Sequence, residues 1–101
     1  MNYHGVHIPK REIAEFCRRH DIRRLALFGS ILREDFRLDS DIDVLVVFAP
    51  EARVGMFGLT RMQAELSQLL GRKVDLNTPG LLSERFRDEV LRNAEDQYVA
   101  A

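Results

Sequence analysis

Residues 27–48 read LFGSILREDFRLDSDIDVLVVF. The stretch begins apolar at Leu27, passes Gly29, Ser30 and a polar run, and ends apolar with Asp41 and Asp43 at the mouth of the last segment. Asp41 to Phe48 reads as a strand, because its apolar part is rich in β-branched residues and Pro50 closes it. Residues two apart in a strand face the same way, so the two carboxylates lie side by side, repel each other and resist joint ionisation. A solvated pair capping a strand explains one aspartate easily, but two followed by VLVVF poorly. One or two divalent cations supply the missing positive charge. Hard ions such as Mg2+ take carboxylate oxygens and complete their shell with water and substrate phosphates.

The first half of the stretch offers what a metal-bound phosphate needs. A strand ending at Gly29, which has no side chain to block backbone approach, is followed by Ser30 at a helix start. That arrangement presents unpaired amides, a hydroxyl and the positive end of a helix dipole. Arg33, one turn into that short helix, and Arg37 in the loop beyond it add charges that can pair with phosphate oxygens.

Outward from this centre the chain alternates helical and strand patterns. Ile13, Phe16 and Cys17 recur at helical spacing after Pro9, giving an amphipathic helix that ends near His20. Leu25 to Phe28 is a short buried strand. Beyond Pro50, Leu59, Met62, Leu66, Leu69 and Leu70 form the apolar stripe of a second helix, stopped by Gly71. The run Val54 to Leu59 is more apolar than a helix start requires; it is expected to pack under the sheet, with a contact patch as the alternative. Lys73 to Leu76 is a third strand in which Asp75 points away from Val74 and Leu76, so Asp75 can join Asp41 and Asp43 as a third ligand. Ser83 is placed as the N-cap of a last helix carrying Phe86, Val90, Leu91 and Ala94. The expected order is helix, strand, short helix, strand, helix, strand, helix.

Composition limits the alternatives. The chain has 101 residues, 46% hydrophobic and 31% charged, which suits one folded domain over residues 1–101 and excludes a disordered chain. Fifteen basic and sixteen acidic residues leave a net charge of -1, so the basic footprint of a general nucleic-acid binder is missing. The single cysteine, Cys17, reads as a buried reduced thiol, which suits the cytoplasm. No signal-peptide pattern and no run of about 18 apolar residues points to export or a membrane. His4, His7 and His20 show no metal-ligand spacing and read as surface or helix-end residues.

Gly29-Ser30, ten residues, then Asp41-Ile42-Asp43 resembles the glycine-serine and aspartate-x-aspartate signature of the DNA polymerase beta-type nucleotidyltransferase superfamily. The resemblance extends to the strand Lys73-Val74-Asp75-Leu76, where the family's third carboxylate belongs. Within the superfamily the chain is similar to the minimal nucleotidyltransferases, antitoxin partners of HEPN-type toxins. The resemblance implies a palm-like fold and transfer of AMP from Mg-ATP to a tyrosine hydroxyl of such a toxin. Its expected residues are Asp41, Asp43 and Asp75 for two Mg2+ ions and catalysis, with Gly29, Ser30, Arg33 and Arg37 for the nucleotide.

The expected fold is therefore α/β (α+β): a small mixed β-sheet with helices packed on one face and the aspartates on the other. The expected reaction is in-line attack on the α-phosphorus, with Asp75 accepting or orienting the hydroxyl proton. The near-neutral charge argues against a nucleic-acid acceptor and for a hydroxyl on a protein partner. Three other readings stay open: an antitoxin that neutralises by docking alone, a module that senses ATP without turnover, and a small nucleic-acid-modifying transferase.

Overall fold

The computed structural model describes residues 2–101. A short hairpin, β1 (Asn2–Tyr3) and β2 (Val6–His7), precedes α1 (Lys10–Arg19) and β3 (Ile22–Phe28). A 3-10 turn at Gly29–Leu32 and a polar loop lead to β4 (Ile42–Phe48), then α2 (Met56–Leu70) and β5 (Val74–Asn77). A second 3-10 turn at Pro79–Leu81, α3 (Glu84–Asn93) and β6 (Glu95–Val99) complete the order. The main sheet has the strand order β5-β4-β3-β6; β4 and β5 run parallel and the other pairs antiparallel. The parallel pair needs a crossover, and α2 supplies it.

One face of the sheet holds the principal core. Ile42, Val44 and Val46 of β4 meet Ile13, Phe16 and Cys17 of α1 and Met62, Leu66 and Leu70 of α2. Each set follows the period of its own element, two for the strand and three to four for the helices. Cys17 is buried, and that burial pushes its thiol up to about 12. Gly71 ends α2 in the left-handed conformation, φ 68°, that a side chain would resist.

The sheet is mixed as expected, and α1 and α2 share one face of it, but α3 departs from that arrangement. Its Val90 packs with Phe28 and Leu45 in a separate apolar cluster. Leu45 alternates with Val44 and Val46, so this cluster lies on the opposite face, the one that carries Asp43. The expectation of helices on a single face is corrected here. Once Phe28 and Leu45 turn apolar side chains outward beside the aspartates, some element must cover them.

Further differences have local causes. Phe57 is 88% exposed and Met56 67%, so the Val54–Leu59 run does not pack wholly under the sheet; only Val54 and Leu59 reach the core. Ser83 is the N-cap of α3 as expected, though its backbone carbonyl rather than its hydroxyl takes the amides of Phe86 and Arg87. Two elements lie outside the expected order. The hairpin turns at His4 and Gly5, both at positive φ, as a two-residue loop requires. In β6 the register shifts so that Leu25 faces Tyr98 while Ala26 faces Asp96, leaving Gln97 as a bulge. Gln97 is buried, accepts from the Lys10 ammonium at 2.6 Å and donates to the Tyr3 hydroxyl at 3.1 Å, so it ties β6 to α1 and the hairpin.

The edge strand β5 would expose amides to any passing strand, and α2 closes it. Ser67 Oγ accepts the Val74 amide at 3.0 Å, and Gln63 Oε1 accepts the Leu76 amide at 2.9 Å. These bonds hold Asp75, between the two amides, at a set height on the sheet. Gln63→Ala is expected to cost about 1–2 kcal/mol, the penalty of stranding a half-buried amide, and to speed hydrogen exchange at Leu76. Urea unfolding and amide exchange measure both.

Candidate active site

Three aspartates converge on the face that α3 partly covers. In the parallel ladder, Asp43 of β4 stands directly opposite Asp75 of β5, and Asp41 lies two residues before Asp43 on the same side. On the antiparallel side Asp43 stands opposite Phe28, the residue before Gly29. Three adjacent chain segments thus meet at Asp43.

Its contact with Gly29 is the tightest feature of the site. Gly29 has φ 77°, and a Cβ placed on it would stand 2.1 Å from Asp43 Oδ2. Any side chain here would meet both backbone strain and a carboxylate oxygen, so glycine is required on two independent grounds. The turn that follows corrects one expectation. Gly29–Leu32 is a single 3-10 turn, not an α-helix, so no sizeable dipole forms. What the turn presents instead is the amides at its start, which a helical turn leaves without an intrahelical partner, beside the half-buried Ser30.

The electrostatics follow from this crowding. Asp43 is pushed up to about 6 by burial, then by the charges of Asp75 and Asp41; the Arg33 guanidinium opposes the rise. Asp41 has one distant cation, the exposed Lys73 ammonium at 3.9 Å. Hard oxygen donors, mutual repulsion and a backbone cradle against one of them fit a divalent cation. Among the described residues, no three acidic, histidine or cysteine side chains form a finished metal cage. Mutually repelling carboxylates spread in this way.

The two arginines separate. Arg33 acts on Asp43 and also pairs with Asp35 at 3.2 Å, whereas Arg37 lies exposed in the loop and is not among the charges that shift Asp43. The loop itself is held by a residue that no sequence motif marks. Arg72 donates to the carbonyls of Arg37 at 2.8 Å and Ser40 at 2.6 Å, and its guanidinium lies 4.7 Å from the centre of the Phe36 ring. Arg72 therefore pins the polar loop that delivers the chain to Asp41. Beside Gly29, a cavity of about 230 Å³ opens between the turn and α3; Phe28 and Arg33 line one wall, Phe86, Glu89 and Asn93 the other.

Residues 10–100 match the nucleotidyltransferase domain family. The chain belongs to that family. It is 34% identical over 87 residues to a Methanocaldococcus jannaschii protein provisionally named a protein adenylyltransferase, an alignment covering 86% of this chain and 91% of the relative. A solved structure provisionally described as a minimal nucleotidyltransferase shares 35% identity at a TM-score of 0.70, covering 84% of this chain and 85% of the other. A toxin-antitoxin crystal structure with AMP-PNP superposes at a TM-score of 0.74 over 92% of this chain and 75% of that one; at 19% identity the likeness is one of fold. The protein is thus a nucleotidyltransferase of the minimal type, and the paired aspartates, the Gly29 turn and Asp75 are the parts of its fold gathered in one place.

Because Asp43 holds its proton more tightly folded than unfolded, its ionised form weighs against the fold above about pH 6, and the handicap fades toward about pH 4. Asp43→Asn is therefore expected to raise the melting temperature in metal-free buffer at neutral pH. Its advantage should shrink as the pH falls through that window. Thermal melts across the range, with a metal chelator present, check the sign.

Proposed function

We propose that this nucleotidyltransferase transfers AMP from Mg-ATP to a hydroxyl, of the tyrosine class, on a partner toxin of the HEPN type, and so acts as its antitoxin. The observation that carries the reading is the direct opposition of Asp43 and Asp75, with Asp41 on the same face and Gly29 against Asp43. Support for a protein acceptor comes from the adenylyltransferase name of the 34%-identical relative. The toxin-antitoxin fold neighbour, with its AMP-PNP, supports both the partner and the nucleotide.

Asp41, Asp43 and Asp75 would hold two Mg2+ ions. When bound, they neutralise the triphosphate and favour the ionised form of Asp43. The chain's own residues do the rest. The amides after Gly29 and the Ser30 hydroxyl seat the phosphate tail, so the α-phosphorus lies over the carboxylates. Arg33 adds charge to that seat and Arg37 reaches the outer phosphates from the loop. The acceptor oxygen forms a bond to the α-phosphorus as the bond from that phosphorus to the bridging oxygen breaks; pyrophosphate leaves. Asp75, the most exposed carboxylate facing Asp43, accepts or orients the hydroxyl proton.

Intact-mass analysis of the partner after incubation with Mg-ATP, paralleled by ATP labelled at its α- or γ-phosphate, tests the reading. Expected is a gain of whole AMP units, with α-label and no γ-label on the partner. Efficient α-labelling of free RNA with no labelled protein would replace the reading with a nucleic-acid-modifying transferase. Asp41→Asn and Asp43→Asn should each lower the rate by roughly a hundredfold or more, since they remove charge stabilisation used in the transition state. Ser30→Ala, which deletes one hydrogen bond but spares the amides, should cost about tenfold. Neutralisation that persists at full strength in either aspartate mutant would instead mean docking alone.

A further inference from the structure

Of the three carboxylates, Asp43 and Asp75 stand in the parallel ladder, but Asp41 comes one residue before β4 begins. The ladder therefore fixes two of them and leaves the third at the end of the polar loop. What holds it comes from the far end of α2. The Ser40 carbonyl, in the peptide before Asp41, accepts from Arg72 Nη2 at 2.6 Å; the Ile42 amide, in the peptide after Asp41, donates to the Lys73 carbonyl at 2.9 Å. Both peptides that flank Asp41 are thus tied to two consecutive residues, and β5 with Asp75 starts directly beyond them. A residue has only two soft backbone dihedrals, so fixing the peptides on either side fixes the direction of its side chain as well.

The shape of Arg72 suits this task. It follows the left-handed Gly71 that ends α2. Its Nη2 carries two hydrogens and donates to the Ser40 carbonyl and, at 2.8 Å, to that of Arg37, while the flat guanidinium lies 4.7 Å from the centre of the Phe36 ring. The His4 ring of the hairpin stacks on the same Phe36, with centroids 5.3 Å apart. The turn that Arg72 grips is closed by its own bonds: the Arg37 amide donates to Ser40 Oγ at 2.9 Å and the Ser40 amide to the Arg37 carbonyl at 3.1 Å. Among the described residues Arg72 has no carboxylate partner, and it is not among the charges that shift Asp43. Its contribution is placement rather than charge.

We infer that Arg72 is a positioning residue of the transfer reaction: through the Ser40 carbonyl it sets Asp41 against Asp75, and thereby the affinity of the site for its divalent cation. This rests on the proposed metal-holding role of the aspartates, and its test separates the two. Charge and placement make opposite demands. A guanidinium near a cation site repels the cation, so removing it would by Coulomb's law alone tighten metal binding. Loss of placement weakens binding instead, as loss of groups that orient metal ligands does by about ten- to a hundredfold.

Electron paramagnetic resonance of free Mn2+, with AMP-PNP present and against AMP-PNP alone, measures metal affinity on the wild-type chain, Arg72→Met and Arg72→Lys. Thermal melts with a chelator verify folding. Expected for Arg72→Met, which keeps the aliphatic stem and loses the guanidinium, is roughly tenfold weaker Mn2+ binding, with faster hydrogen exchange at the Ile42 amide. Arg72→Lys keeps the charge but not the flat fork, so its affinity should fall between the two. With the partner and ATP, the Mg2+ concentration that gives half-maximal transfer should rise by the same factor in Arg72→Met, while the rate at saturating Mg2+ changes far less. Mn2+ binding as tight as in the wild type, or tighter, in Arg72→Met, or in Arg72→Lys should the first variant not fold, would overturn the inference and leave the metal site standing. A wild-type chain that takes up no Mn2+ beyond that held by AMP-PNP alone would overturn both.

Discussion

Asp43 Oδ2 occupies the space that a side chain on residue 29 would need, and the rest of the site is arranged around that contact. It brings the end of β3 against the start of β4, so the turn that offers free amides and the strand that offers carboxylates cannot drift apart. Gly29 is also the point where the backbone takes a positive φ and leaves the sheet. One residue therefore meets a conformational and a steric demand, and the site tolerates no side chain there.

Placing charge in so crowded a position has consequences for the whole sheet. Asp43 faces Asp75 across a parallel ladder, the pairing that only a crossover connection can build, and α2 is that connection. The same helix packs Met62, Leu66 and Leu70 into the core and sends Gln63 and Ser67 to the amides of β5. Core burial and hydrogen bonding by one helix thus hold two mutually repelling carboxylates in register. On the other face, the small cluster of Phe28, Leu45 and Val90 brings α3 beside the carboxylates and creates the adjoining cleft. The covering of an apolar spot and the shaping of that cleft are the same packing event.

Long periodic elements were legible from the chain alone: α1, α2 and β4 follow hydrophobic patterns that their burial repeats, and Gly71 ends α2 where a left-handed residue is needed. The hairpin and β6 were not. Two-residue strands are too short to show a period, and in β6 a buried glutamine sits where an apolar residue would signal a strand. Gln97 is stable there because Lys10 and Tyr3, some ninety residues away, complete its hydrogen bonds. Arg72 escaped notice for a similar reason. In sequence it is one basic residue after a helix; in the fold it clasps two carbonyls and an aromatic ring of a loop more than thirty residues earlier.

The sequence by itself determined the family signature and which residue types stand ready: a glycine where the chain must turn sharply, aspartates at strand positions of one parity, and apolar periods that say which side of each element is buried. Those are local properties, carried by spacing and backbone preference. Only the tertiary structure decided that Asp75 stands opposite Asp43, that Arg33 rather than Arg37 bears on it, and that α3 crosses to the carboxylate face. Strand register and helix placement depend on long-range packing, and the shift of Asp43 to about 6 arises from neighbours distant in the chain as well as from burial. A carboxylate's affinity for its proton is a sum over everything around it in space, whereas spacing along the chain records only what lies beside it in sequence.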